Sequence, residues 1–261
     1  KISRDIKMRI TERKQVLDYY KKEKVAQGYI KKRFTEPLNF VEHKRQVNLI
    51  NNIITNYDCK YILEFAPGPA RLTAELNLEN IKEGISIESS SSMLKIAENR
   101  MKSNHHYHRW SFVNDDVFKY KNKNNQRYDL IFTIRFLLHF KAEERNKIYQ
   151  QASNLLNEGG LLSFEVMNKN IVLPLRKILG KKRYFVYDKL YTKKEFKEEM
   201  ENNGFKVIKM FPILKQFWLQ ALFSRPLKII KMNNLARKII FFLEKFRSNE
   251  PYEWIVLCQK K

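Results

Sequence analysis

The stretch YILEFAPGPARLTAEL, residues 61–76, is a short apolar run, then a turn holding two prolines, then a segment patterned as a helix. That order opens a βαβ unit, and the turn is where such units take a ligand. Glu64 stands at its mouth. Nucleotide-binding turns await a phosphate, which a carboxylate in a low-dielectric crevice repels, and this turn also lacks the lysine of a P-loop. Ala66, Pro67, Gly68, Pro69 and Ala70 supply small residues at alternate positions, so the backbone can approach a ligand closely.

Outward from this unit, strand-like runs recur at 60–65, 84–88, 110–114, 128–134, 160–167, 205–211 and 253–259. They are rich in Ile, Val, Leu and Phe, and helical patterns such as SSMLKIAENRMK and AEERNKIYQQASNLLN separate most of the first five. The order predicts an α/β fold: a doubly wound, mostly parallel sheet of seven strands with helices on both faces. Helical patterns at 4–24, 25–34 and 40–56 make residues 1–57 an N-terminal cap on the main domain, 58–261. Inside that domain, 212–250 reads as a helical insertion before the last strand, with two amphipathic patterns around Pro226. The same pattern suits a lid packed on the sheet or over the pocket, and a helix laid on a membrane surface.

Length and composition suit one elaborated domain, 261 residues with 43% hydrophobic content. Cys59 and Cys258 stand far apart without metal or redox spacing, and the charged opening stretch lacks the apolar core of a signal peptide. A cytoplasmic home is expected, at most peripheral to a membrane, since no window approaches the roughly 18 apolar residues of a span. The formal net charge of +23, with twelve basic and four acidic residues in 1–33, admits RNA, anionic lipid or an acidic substrate as partner. A compositional lysine bias gives the same charge.

Three acids fall at or just beyond the ends of successive predicted strands: Glu64, Glu88 and Asp116. Glu88 lies where a dinucleotide fold keeps the acid that accepts a ribose diol, and Asp116 at the height of an adenine amino group. Either acid also suits a helix cap. Glu64 favours a ligand with a cationic end and no phosphate, as S-adenosylmethionine is.

At these residues the chain resembles the class I S-adenosylmethionine-dependent methyltransferases. LEFAPGPARLT resembles their first motif, with Ala66 and Ala70 in place of two glycines; GISIESSSSMLKIAENR resembles the second, FVNDDVF the third, YDLIFTIRFLLHF the fourth strand, and LLNEGGLLSFEV the turn into the fifth. The resemblance implies a Rossmann-like methyltransferase fold, S-adenosylmethionine as cofactor, and a cofactor site of Glu64, Ala66, Pro67, Gly68, Ala70, Glu88, Ser89, Met93, Asp116 and Val117, with Tyr29 and Arg33 reaching in from the N-terminal helices.

Methyl transfer needs acceptor and methyl held in near-attack geometry, and a base only for some acceptors. His139 and His43 are the base candidates, with Arg135 as a positioning group; each residue also suits a structural role. The tract His105-His106-Tyr107-His108 falls in a predicted loop, and no metal site is expected. After the fourth strand the chain reads Thr133-Ile134-Arg135-Phe136, without the Pro-Pro-aromatic pattern of enzymes that methylate nucleobase amines. A small-molecule or lipid-like acceptor is the leading expectation, an RNA methyltransferase or nucleic-acid-binding protein the alternative, and an inactive partner subunit a third.

Overall fold

The apolar runs alternate their residues between two cores. Ile62, Leu130, Ile255 and Leu257 face one, Leu63, Ile131, Val256 and Cys258 the other, so the strands need continuous apolar sequence rather than polar alternation. The computed structural model describes residues 15, 18, 36–122, 125–180 and 186–261. Its strands are β1 (Tyr61–Phe65), β2 (Glu83–Ile87), β3 (Trp110–Val113), β4 (Tyr128–Thr133), β5 (Leu156–Met167), β6 (Phe205–Ile213) and β7 (Glu253–Lys260). They form one sheet in the order β3-β2-β1-β4-β5-β7-β6, with β7 antiparallel to both neighbours. This is the expected seven-stranded, mostly parallel, Rossmann-like sheet.

The helices are α1 (Pro37–Asn56), α2 (Ser91–Met101), α3 (Ala142–Leu155), α4 (Lys169–Leu179), α5 (Lys193–Asn202), α6 (Phe217–Ile229) and α7 (Asn233–Leu243). Pro37 starts α1, where its fixed φ suits the first turn. Ser90 caps α2, its hydroxyl accepting from Met93 N at 3.4 Å. The helices expected at 4–24 and 25–34 lie outside the described residues, apart from positions 15 and 18.

Three local expectations differ. The helix after β1 does not form: Ala66, Gly68 and Ala70 take φ values of 52, 58 and 48, and only a single 3-10 turn, Thr73–Glu75, precedes extended chain. Alternating left-handed residues cannot propagate a right-handed helix, and each alanine so held costs roughly 1–2 kcal/mol. The Gly-Gly pair sits inside β5, which begins at Leu156, and Gly160 is required there because a Cβ would lie 2.9 Å from Asn157 O. The break in the insertion comes not at Pro226, which α6 accommodates in its last turn, but at Lys231, whose φ of 59 ends the helix.

Candidate active site

Strand order reverses between β1 and β4, and ligands of such sheets bind beyond the strand ends at that point. A cavity opens there, walled by the turn after β1, by Glu88, Ser89, Ser90 and Met93 after β2, and by Ile134, Arg135, Phe136, His139 and Phe140 after β4.

Glu88 ties two walls together: its carboxylate accepts from Gly68 N at 3.0 Å and from Ser90 N at 2.8 Å. Added at Gly68, a Cβ would meet nothing within 4 Å, so this backbone borders open space. Glu64 lines the cavity from the mouth of the turn, though little of it meets solvent. It is 3% exposed, and its Oε2 accepts from the hydroxyls of Thr73 and of Ser86, its partner in the β1–β2 register. Trp110 Nε1 in turn donates to Ser86 Oγ at 2.9 Å. Burial pushes the Glu64 carboxyl up to about 7, against the pull of those two hydroxyls. Its negative charge is therefore conditional near neutral pH.

Arg71 reaches the same cavity from the turn, 8% exposed. Its Nη2 donates to Gln46 Oε1 at 2.8 Å, and Nη1 lies 2.6 Å from His43 Nδ1. His43 is 1% exposed and does not line the cavity; its Nε2 lies 2.9 Å from Glu75 Oε1. Burial lowers the pKa of His43, so both geometry and solvation favour the neutral ring. As placed, His43 supports Arg71 rather than facing an acceptor.

Arg135 lines the cavity with a φ of 65, yet its groups are drawn inward. Its Nη2 donates to Glu42 Oε1 at 2.8 Å and its backbone N–H to Glu165. Glu253, fully buried, completes the cluster and accepts from Gln46 Nε2 at 2.8 Å. Burial and the neighbouring Glu42 push the Glu253 carboxyl well up, while Glu42, Glu253 and Glu165 hold the proton on Arg135 against burial. Arg135 is the cation that makes a cluster of buried acids tolerable.

His139 is the histidine of the cavity wall. Its Nδ1 lies 3.1 Å from Tyr187 O and 3.0 Å from Asp188 Oδ1. Both are acceptors, so Nδ1 carries the proton and the neutral ring keeps its lone pair on Nε2. Burial works to raise the Asp188 carboxyl, but the hydrogen bond from His139, with the nearby Arg176, holds it below the usual range.

Of the residues expected from sequence, Glu64, Ala66, Pro67, Gly68, Glu88, Ser89, Met93, Arg135 and His139 line this cavity. Ala70 is fully buried beneath the turn, and Val117 lies in the core. Asp116 Oδ1 accepts from Phe118 N at 3.1 Å and its carbonyl from Lys119 and Tyr120, closing a turn outside the lining. Tyr29 and Arg33 lie outside the described residues. The stretch 212–250 contributes nothing to the wall; it packs on α1, where Arg45 Nε stands 3.6 Å from Glu244. A lid over the pocket is thus not its position here, because its buried residues pack on α1. Among the described residues no cluster of three or more metal-ligating side chains forms.

Sequence reading missed Arg71, Gln46, Glu42, Glu165, Asp188 and Glu253. A signal for two of them was present: Glu42 and Gln46 fall with His43 on one side of α1 among Val41, Val47 and Ile50, and buried polar residues at helical spacing mark a site. The others come together only through the sheet.

Residues 62–160 match a family model described as a methyltransferase domain. No curated protein matches the chain in sequence. Among solved structures, magnesium protoporphyrin IX methyltransferase from Synechocystis PCC 6803 with bound SAH is 14% identical, covering 96% of this chain and 100% of that one at a TM-score of 0.66. An S-adenosylmethionine-dependent methyltransferase from Clostridium acetobutylicum ATCC 824 is 13% identical over 84% of this chain and 92% of its own, at 0.57. An O-methyltransferase family 2 protein from Planctomyces limnophilus DSM 3776, in complex with apigenin, is 16% identical over 77% and 51%, at 0.53. These structures share the fold, and the domain match covers the strands, turns and acids that build the cavity. Residues 62–160 thus carry a methyltransferase domain, set in a chain that shares the fold of S-adenosylmethionine-dependent methyltransferases.

Proposed function

We propose that this enzyme methylates a small, apolar or amphiphilic acceptor, with the turn after β1 and Glu88 holding S-adenosylmethionine and His139 receiving the acceptor's proton. One observation carries the reading: the acid-and-glycine turn and an imidazole fixed by Asp188 wall the same cavity at the reversal of strand order. S-adenosylmethionine, when bound, supplies a methyl carbon on a sulfonium, whose C–S electron pair leaves with sulfur as the acceptor's lone pair forms the new bond.

The donor set fits that cofactor. Glu88, whose carboxylate can accept from more than two donors, takes the ribose hydroxyls. Arg71 meets the carboxylate of the methionine end, and Glu64 its cationic groups, with Ala66, Pro67, Gly68 and Ala70 shaping the turn between them. Ser89 and Met93, with Asp116 and Val117 beyond them, form the adenine side. The N-terminal cap, 1–57, enters through α1, whose His43 and Gln46 hold Arg71; Tyr29 and Arg33 belong to the same cap. His139 Nε2 accepts the proton released from the acceptor, and Asp188 stabilises the imidazolium so formed.

Apolar wall residues, Ile134, Phe136 and Phe140, support an apolar or amphiphilic acceptor. The porphyrin in one fold relative's name and the apigenin held by another are of that kind. The charge of +23 favours RNA as the second acceptor class; affinity falling steeply with salt would select it. Titration calorimetry tests the core of the reading. S-adenosylhomocysteine should bind, and Glu88→Ala should weaken it by about 30-fold or more, the loss of a doubly used charged acceptor. Tight capture of a nicotinamide dinucleotide with no response to S-adenosylhomocysteine would end it.

A further inference from the structure

Helix α6 is apolar on both sides. Its buried positions are Phe217, Gln220, Ala221 and Ser224, and Gln220 Nε2 donates to buried Glu244 at 2.7 Å. Its outward side carries Trp218, Leu222 and Phe223, which are 43%, 64% and 46% exposed. In α7 the small Ala236 and Ile240 turn inward while Leu235, Phe241 and Phe242 face out, and between the helices Ile229 and Ile230 are 81% and 60% exposed. Eleven of the sixteen large hydrophobic residues exposed among the described residues fall in 218–246. An amphipathic helix packed for water turns its apolar side in. This pair buries Phe217, Ala221, Ala236 and Ile240 and yet carries large apolar side chains outward as well, on a scale that marks an interaction surface.

The charge around it selects the occupant. Arg225, Lys228, Lys231, Lys238, Lys245 and Arg247 are exposed, and the one acid between 217 and 247, Glu244, is buried. A second copy would set these cations against themselves, in a chain already at +23. Residues 1–33, with twelve basic and four acidic side chains, bring the same sign. An anionic bilayer answers both features: apolar side chains enter the acyl boundary while lysines and arginines meet the headgroups. No helix among the described residues is long and apolar enough to cross a membrane, so the contact lies in the interface plane. We propose that the α6–α7 pair docks this enzyme on the surface of an anionic lipid bilayer.

The test uses the full chain without cofactor, so that it stands apart from the methyl-transfer reading. Vesicles of phosphatidylcholine with about a third phosphatidylglycerol are compared with phosphatidylcholine alone, by co-sedimentation and tryptophan emission. Trp110 and Trp254 are buried, so a blue shift reports Trp218. Association with the anionic vesicles and a blue shift are expected, with affinity falling about fivefold for each of Lys231→Gln and Lys238→Gln. The double variant Leu222→Ser, Phe223→Ser should lose association while keeping its circular dichroism and its S-adenosylhomocysteine affinity. No association, equal association with both vesicles, or full association by the double variant would overturn the proposal. So would a dimer that the double variant dissolves.

Discussion

Arg71 Nη1 stands 2.6 Å from His43 Nδ1, and Gln46 holds the other terminal nitrogen at 2.8 Å. A guanidinium can only donate, so His43 Nδ1 accepts and the ring proton sits on Nε2, toward Glu75. His43→Leu should weaken S-adenosylhomocysteine about tenfold, since a charge-assisted bond that aims Arg71 is lost. The depressed pKa fixes the sign of a second effect: this contribution to stability is full above about 6.5 and declines as pH falls below it. Thermal melts at pH 5.5 and 7.5 should therefore differ more for the wild type than for His43→Leu. Identical pH responses and unchanged affinity would remove His43 from this role.

Glu64 should show the opposite slope. Its unfolded carboxyl titrates near 4.3, whereas burial holds the folded one at about 7. Between those values the folded chain keeps a proton that the unfolded chain has lost, so stability falls as pH rises through the window, by about 4 kcal/mol in all. Glu64→Gln should flatten that fall and melt higher than the wild type at pH 8. If the cationic end of the cofactor sits beside Glu64, binding near pH 7 should release a proton. Calorimetry in buffers of different ionisation enthalpy reads this directly, and a proton count of zero in the wild type would contradict the placement.

His139 and Asp188 form the pair expected to act on the acceptor. His139→Ala should lower kcat by about 10²–10⁴-fold, with little change in S-adenosylhomocysteine affinity. Asp188→Asn should lower kcat less, because the His139 ring loses the carboxylate acceptor that fixes its orientation, with little change in S-adenosylhomocysteine affinity. A merely structural Asp188 would lower the melting temperature and leave kcat in place.

Arg135 was expected from sequence to position substrate; its partners imply a structural duty. Arg135→Met leaves Glu42, Glu165 and Glu253 buried without their cation and should cost about 3–5 kcal/mol in urea unfolding. Adding Glu42→Gln should recover part of the loss. Unchanged stability with a reduced kcat would instead return Arg135 to the reacting groups.

The architecture was legible because it rests on local pattern. Strands buried on both faces need continuous apolar runs, and parallel pairing needs long crossovers between them, so runs and helical patterns in alternation determined the sheet and the turn that walls the cavity. Glu88 and Gly68 were readable for the same reason, being tied to the end of a strand and to the turn after another. The missing helix after β1 was not, since nothing in Ala66 or Ala70 announces a left-handed backbone.

What only the tertiary structure decided is the state of each charged group. Whether Glu64 keeps its charge depends on Ser86 one strand away and Thr73 nine residues on; whether His139 has a fixed tautomer depends on Asp188, and whether Arg135 is offered or withheld depends on Glu42, Glu165 and Glu253. These partners are distant in sequence, and solvation, which sets the energy of a buried charge, is a property of everything packed around it. The residue types came from the chain, and their chemistry from burial.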